Sequence, residues 1–113
     1  MHEMSIAMNV VEIATSQALQ NEARRINSIT LDIGSLAGVM IEALEFCFAS
    51  VGKGTMAEGA ELRINEIAAW GCCRDCGEEF RTETYLTACP ACGAFRIDII
   101  RGRELKIKTI NVD

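Results

Sequence analysis

Apolar residues recur at three- and four-residue intervals near the start of the chain. Met4, Ala7, Val11, Ala14 and Ala18 share one helical face, with no Gly or Pro between them. The pattern predicts a helix from residue 4 to about 25, ending in Asn21, Glu22, Arg24 and Arg25, where two cations suit a helix C-terminus. The period then drops to two. Ile29, Leu31 and Ile33 alternate with Thr30 and Asp32, as in a strand with one buried face. A second helix is predicted over Val39–Val51, with Met40, Leu44, Cys47, Phe48 and Val51 facing inward. Leu62 and Ile64 open another strand that runs to about Ala69. From Cys72 to about Phe95 the apolar periodicity disappears and Cys, Gly, Arg and Glu take over. It returns after Ile97 and is clearest at Leu105, Ile107, Ile110 and Val112, with a change of phase near Thr109 that suggests a bulge. The expected fold class is therefore α+β: a small mixed β-sheet with two helices, plus an inserted four-cysteine zinc-binding subdomain. The expected boundaries are residues 1–70 and 97–113 for the body and 71–96 for the insertion.

A chain of 113 residues is about one domain, and its 50% hydrophobic content supports only a modest core. Its formal charge of −5 comes without a basic stripe, which argues against nucleic acid as a partner. Four thiolates around one dication would make the chain more negative still. No apolar run approaches the roughly 18 residues that span a bilayer, so no membrane partner is expected. Met1-His2-Glu3-Met4 lacks the basic region and apolar stretch of an export signal. A reducing, cytoplasmic setting follows as the expectation, and in it the six cysteines read as thiols rather than disulfides. Gly52, Gly54 and Gly59 lack the GK[ST] ending of a phosphate loop and read as a flexible connection.

Cysteine spacing adds the strongest chemistry. Cys73-Arg-Asp-Cys76-Gly77 is followed, after a twelve-residue spacer, by Cys89-Pro-Ala-Cys92-Gly93. In each C-x-x-C turn two thiolates converge on one ion, and the following glycine permits the tight, left-handed turn that this needs. Two such turns supply the tetrahedral four-sulfur shell of a structural zinc site. A segment of this size buries little core, so the metal would provide much of its folding energy. Two competitors stay open: a dithiol pair that cycles redox state, and iron in a rubredoxin-like shell. Cys47 reads as a small buried hydrophobe, and Cys72 as a neighbour that points away from the ion.

His2 is the only histidine, and a lone histidine near a terminus is ordinarily a solvated side chain. Its position makes another role available. The Met1 amine, the His2 amide and the imidazole can form adjoining chelate rings, a nitrogen set suited to square-planar Ni(II) or Cu(II). Glu3 adds a carboxylate one residue on.

Met1-His2-Glu3, then Gly34-Ser35-Leu36, then Glu58-Gly59-Ala60-Glu61-Leu62, then the paired C-x-x-C turns, together resemble the HypA/HybF family of hydrogenase nickel-incorporation proteins. The resemblance covers essentially the full length, in the family's order of motifs. It implies a nickel metallochaperone that delivers Ni(II) to the [NiFe]-hydrogenase large subunit with a HypB-type GTPase, while some relatives serve urease maturation factors. It places nickel on the Met1 amine, His2 and Glu3, and zinc on Cys73, Cys76, Cys89 and Cys92. Met40 stands where some members have an acidic residue near the nickel, with Glu42 two residues on.

Three function classes compete. The first is the metallochaperone, whose shallow nickel site contrasts with a closed zinc shell. The second is a zinc-ribbon interaction module for RNA or transcription, which the acidic charge and the single Tyr and Trp disfavour. The third is an electron-transfer protein with iron in the knuckles. An enzyme is not expected, because there is no candidate triad and a closed shell leaves no open coordination position.

Overall fold

The computed structural model describes residues 2–113. Its elements in chain order are α1 (Glu3–Gln20), β1 (Ile26–Gly34), α2 (Ile41–Gly52), β2 (Glu61–Ile67), β3 (Ala69–Cys73), β4 (Glu79–Thr82), β5 (Ile97–Arg101) and β6 (Leu105–Val112). The strands form two three-stranded sheets, in the orders β2-β1-β6 and β4-β3-β5. This is the expected α+β class, with two helices and small sheets.

The chain divides into two compact units, and the first holds residues up to Leu31, Val39–Asn65 and Lys106–Asp113. Helix α1 buries Ile6, Ala7, Val10, Val11, Ala14 and Ala18, so the buried stripe is broader than the period alone indicated. Three alanines in that stripe bring the helix backbone close to its neighbours. Helix α1 packs against α2, which buries Leu44 and Phe48, and Ile26, Ile29 and Leu31 of β1 are buried in the same unit. Met4 is 43% exposed and Met40 is 70% exposed, contrary to the inward positions expected for them. Met40 precedes the first turn of α2 as its N-cap residue, so it is not part of the helical stripe.

Helix α1 stops at Gln20, earlier than predicted, and the hydrogen bonds explain why. Glu22 adopts a positive φ of 56°. Its N–H donates to Leu19 O, and the Ala23 N–H donates to Ala18 O. That pair of bonds is a Schellman ending with glutamate in the left-handed position usually held by glycine. Arg24 and Arg25 therefore lie beyond the helix. The Arg24 N–H donates to Asp113 O at 2.6 Å, and the Arg25 side chain pairs with the Asp113 carboxylate. The Asn27 and Asn111 side chains bond across β1 and β6, and with Asp113 N–H on Arg25 O at one end and Gly34 N–H on Glu104 O at the other, these strands run antiparallel.

The second unit comprises Asp32–Gly38 and Glu66–Leu105. Its sheet has β3 as the central strand, flanked by β4 and β5. Both neighbours pair with β3 antiparallel, with Gly71 opposite Phe80 on β4 and Ile99 on β5. The segment from residue 34 to 36 joins this unit through backbone bonds. Gly34 N–H donates to Glu104 O, Ser35 N–H to Ile67 O, and Leu36 N–H to Gly102 O. The approach is close enough that a Cβ on Gly34 would lie 2.0 Å from the Gly102 carbonyl carbon, which requires glycine at position 34.

Candidate metal centre

Strand β3 alternates buried and half-buried residues and delivers its last one, Cys73, into the interior at 1% exposure. The chain then turns back at once. Gly77 N–H donates to Cys73 O at 2.9 Å, and Cys73 N–H donates to Glu78 O at 2.9 Å. The second turn repeats the arrangement residue for residue: Gly93 N–H donates to Cys89 O at 2.8 Å, and Cys89 N–H to Ala94 O at 2.7 Å. Gly77 and Gly93 sit at φ of 79° and 77°, in the left-handed region where a side chain is strained. In each turn the first cysteine is buried and the second exposed.

All four ligand atoms of Cys73, Cys76, Cys89 and Cys92 lie within 4.8 Å of one another. Cys73 Sγ is 3.6 Å from Cys92 Sγ, and Cys76 Sγ is 3.5 Å from Cys89 Sγ. A tetrahedral ion with metal–sulfur bonds of about 2.3 Å sets sulfurs about 3.8 Å apart, close to both spacings. Disulfides require sulfurs at about 2.0 Å. The four residues therefore fit one metal ion.

Electrostatics favour the same reading. Backbone amides aim at the sulfurs, and the strongest single influence on Cys76 is the Glu78 N–H, which favours its thiolate. Hydrogen bonding with Cys89, burial, and the other two cysteine sulfurs together outweigh it and push the Cys76 thiol up to about 12. Burial also opposes ionisation of Cys89, but the N–H groups of Cys92 and Ala91, with the neighbouring thiols, bring it down to about 7. Four sulfurs this close cannot all ionise without a cation among them, and a bound dication would supply that charge.

The two turns are braced from outside. Arg74 N–H donates to Arg96 O, and the Arg74 guanidinium forks onto both Asp98 oxygens at 2.9 and 3.0 Å. Arg96 pairs with Asp75. All four side chains are exposed, so these pairs orient the turns more than they stabilise the fold. Cys72 stands outside the four-sulfur group, with its thiol directed at the carbonyls of Cys73 and Gly77.

Of the N-terminal candidates, Met1 lies outside the described residues. His2 is exposed and serves as the N-cap residue of α1, its carbonyl accepting the Ile6 N–H. Glu3 begins the helix, and its carboxylate accepts the Met40 N–H at 3.1 Å. That hydrogen bond, followed by one within its own residue, holds the Glu3 carboxyl below its usual range. The bond brings position 40 to the residue expected beside nickel, although Met40 directs only its backbone there. Sequence reasoning missed this partner, since the two residues are 37 positions apart with no local spacing to join them.

Known proteins resemble this chain over its whole length. A family model described as "Hydrogenase/urease nickel incorporation, metallochaperone, hypA" matches residues 1–112. Hydrogenase maturation factor HypA of Geobacter sulfurreducens is 47% identical over 113 residues, covering the whole of both chains. The factor of the same name from Chlorobaculum tepidum is 46% identical over the same extent. Two solution structures share the fold. One, of a HypA protein, has a TM-score of 0.75 at 20% identity, covering 99% of this chain and 96% of that one. The other, of the Ni metallochaperone HypA from Helicobacter pylori, has a TM-score of 0.69 at 19% identity, with 99% and 97% covered. The chain belongs to the HypA family of hydrogenase/urease nickel-incorporation metallochaperones.

Proposed function

We propose that this protein carries Ni(II) as cargo on the Met1 amine, His2 and Glu3, and delivers it to the large subunit of a [NiFe]-hydrogenase. A HypB-type GTPase is the proposed partner in that delivery, and the proposed compartment is the cytoplasm. Residues 1–70 and 97–113 would form the nickel-binding body, and residues 71–96 the zinc-binding domain. The observation that carries the nickel reading is the Met40–Glu3 hydrogen bond. It fixes one Glu3 oxygen at the start of α1, beside the exposed His2. Few ligands on an open surface suit an ion that must be handed on, because each ligand lost to a partner lowers the affinity. A carrier of this kind performs no bond chemistry, in keeping with the expectation that the chain is not an enzyme.

Zn(II) is the ion proposed for Cys73, Cys76, Cys89 and Cys92. When bound it would neutralise the thiolates and hold the two turns together. These residues keep the turns shaped through their amide–sulfur bonds and left-handed glycines, and offer no open position for a substrate. Iron in the same shell is distinguished by colour: zinc-loaded protein is colourless, and four-thiolate ferric iron absorbs in the visible range.

The test is nickel calorimetry on untagged protein. His2→Ala should abolish stoichiometric binding, and an N-terminal extension should weaken it by displacing the Met1 amine. Unchanged affinity in the His2→Ala variant contradicts the assignment.

A further inference from the structure

The second unit holds five arginines, of which Arg74 and Arg96 are paired with Asp98 and Asp75. Among the described residues, no carboxylate lies within ion-pair distance of Arg81, Arg101 or Arg103. In a chain of net charge −5, Arg81 on β4 and Arg101 on β5, two arginines without an ion-pair carboxylate on one small sheet, need an explanation.

Strand register places both. Trp70 of β3 lies opposite Arg81 of β4 on one side and Arg101 of β5 on the other. The three therefore form a row across the sheet, on the face opposite the buried Ala69, Gly71 and Cys73. The Arg101 guanidinium sits 5.2 Å from the Trp70 ring centre, a cation–π contact that orients it without using its hydrogen-bond donors. Opposite the Trp70–Gly71 step the register shifts, with Ile100 the extra residue of β5 between Ile99 and Arg101. A shallow cavity of about 240 Å³ adjoins the row, lined by Arg101, Arg103, Glu104, Ile99 and Ile100. The next row on the face is Glu79, Cys72 and Asp98, and its Asp98 is already held by Arg74.

We propose that the Arg81–Trp70–Arg101 row is a docking surface for an acidic segment of a partner protein, whose carboxylates bridge the two guanidiniums while its backbone lies over the indole. Charge complementarity selects this occupant. Guanidinium forks match carboxylates two donors to two acceptors, and two arginines are too few to follow the run of phosphates that a nucleic acid presents. Geometry sets the spacing. Arg81 and Arg101 lie two strand spacings, about 10 Å, apart, and a peptide in the polyproline II conformation brings every third side chain back to one face at about 3.1 Å per residue. The matching motif is an acidic residue followed, three positions later, by another. The surface makes no use of His2 or Glu3, so it stands or falls independently of the nickel assignment.

Trp70 is the sole tryptophan and reports on its own site. The experiment is a fluorescence titration of full-length, zinc-loaded protein without nickel, using the acetylated and amidated peptide Glu-Gly-Gly-Glu. A saturable change in Trp70 emission is expected, weakening with added salt. Arg81→Gln and Arg101→Gln should each bind about tenfold more weakly, and Arg101→Lys should recover part of the loss. Both arginines are exposed, and unchanged circular dichroism would establish that the variants are folded. Equal binding of Gln-Gly-Gly-Gln would remove charge from the recognition and overturn the proposal. Equal binding of inorganic phosphate would make this a free-anion site, and tighter binding of a single-stranded oligonucleotide would make it a nucleic-acid surface; either overturns it. So does the absence of any saturable change.

Discussion

Single side chains in this protein often do something other than their local pattern suggests. Glu22 is the clearest case. Its positive φ of 56° costs a residue with a Cβ about 1 kcal/mol relative to glycine, yet it ends α1 through two well-formed bonds. Glu22→Gly should therefore raise stability by up to about 1 kcal/mol, less what the more flexible unfolded chain gives back. A urea denaturation midpoint that falls would show that the glutamate side chain contributes more than its backbone strain costs. The methionines teach a related lesson. Met4 and Met40 fit an apolar period but lie on the outside, because a period identifies a face without saying how wide it is or where the helix begins. The four zinc candidates behave oppositely. Their spacing alone identified the cluster, since two C-x-x-C turns with matched glycines leave the sulfurs few places to go.

At the level of elements, regular alternation was readable and short irregular strands were not. Ile29, Leu31 and Ile33 announced β1, and the phase change near Thr109 reappears in β6, where Lys108 and Thr109 are both exposed. By contrast, β3 reads Ala-Trp-Gly-Cys-Cys and β4 reads Glu-Phe-Arg-Thr, compositions with no clear period. They are strands because β3 pairs with β4 on one side and with β5 on the other, which is information held between segments. The end of β6 offers a test of pairing. Asp113 is held below its ordinary value of 3.8 by the Asn27 side chain and then by the Arg25 guanidinium. A depressed folded-state value means that the contribution is present above pH 3.8 and fades as pH falls through the folded value. Asp113→Asn should accordingly be less stable than the parent at about pH 7 and no different near pH 2. A difference that persists unchanged into acid would assign the effect to something other than the carboxylate.

The paired cysteine turns make a second prediction at this level. Cys76→Ser removes one sulfur and leaves three, too few for a closed four-sulfur shell. Zinc content should fall from one per chain towards zero, and the amide resonances of residues 72–95 should collapse towards random-coil positions. Resonances that stay dispersed in the metal-free variant would mean that the hydrogen bonds and arginine braces suffice without the ion.

At the scale of the whole molecule, the two proposed metal sites differ in character and draw on different stretches of one short chain. One has four sulfurs held by turns whose backbone bonds and left-handed glycines set their shape. The other is an exposed histidine and a carboxylate at the start of a helix, tied by one bond to the start of the next. Sequence made the contrast visible, because Met1-His2-Glu3 and the paired cysteines are both contiguous motifs. It did not reveal that Glu3 bonds the backbone of Met40, nor that Trp70 lies between two arginines, because each depends on how distant segments are brought together. That separation of structural and working metal is the central claim. The most direct test is nickel and zinc analysis of untagged His2→Ala protein after saturation with nickel and gel filtration, beside the parent. The account predicts one zinc per chain in both and stoichiometric nickel only in the parent. Nickel retained by the variant, or zinc lost together with nickel, would contradict it.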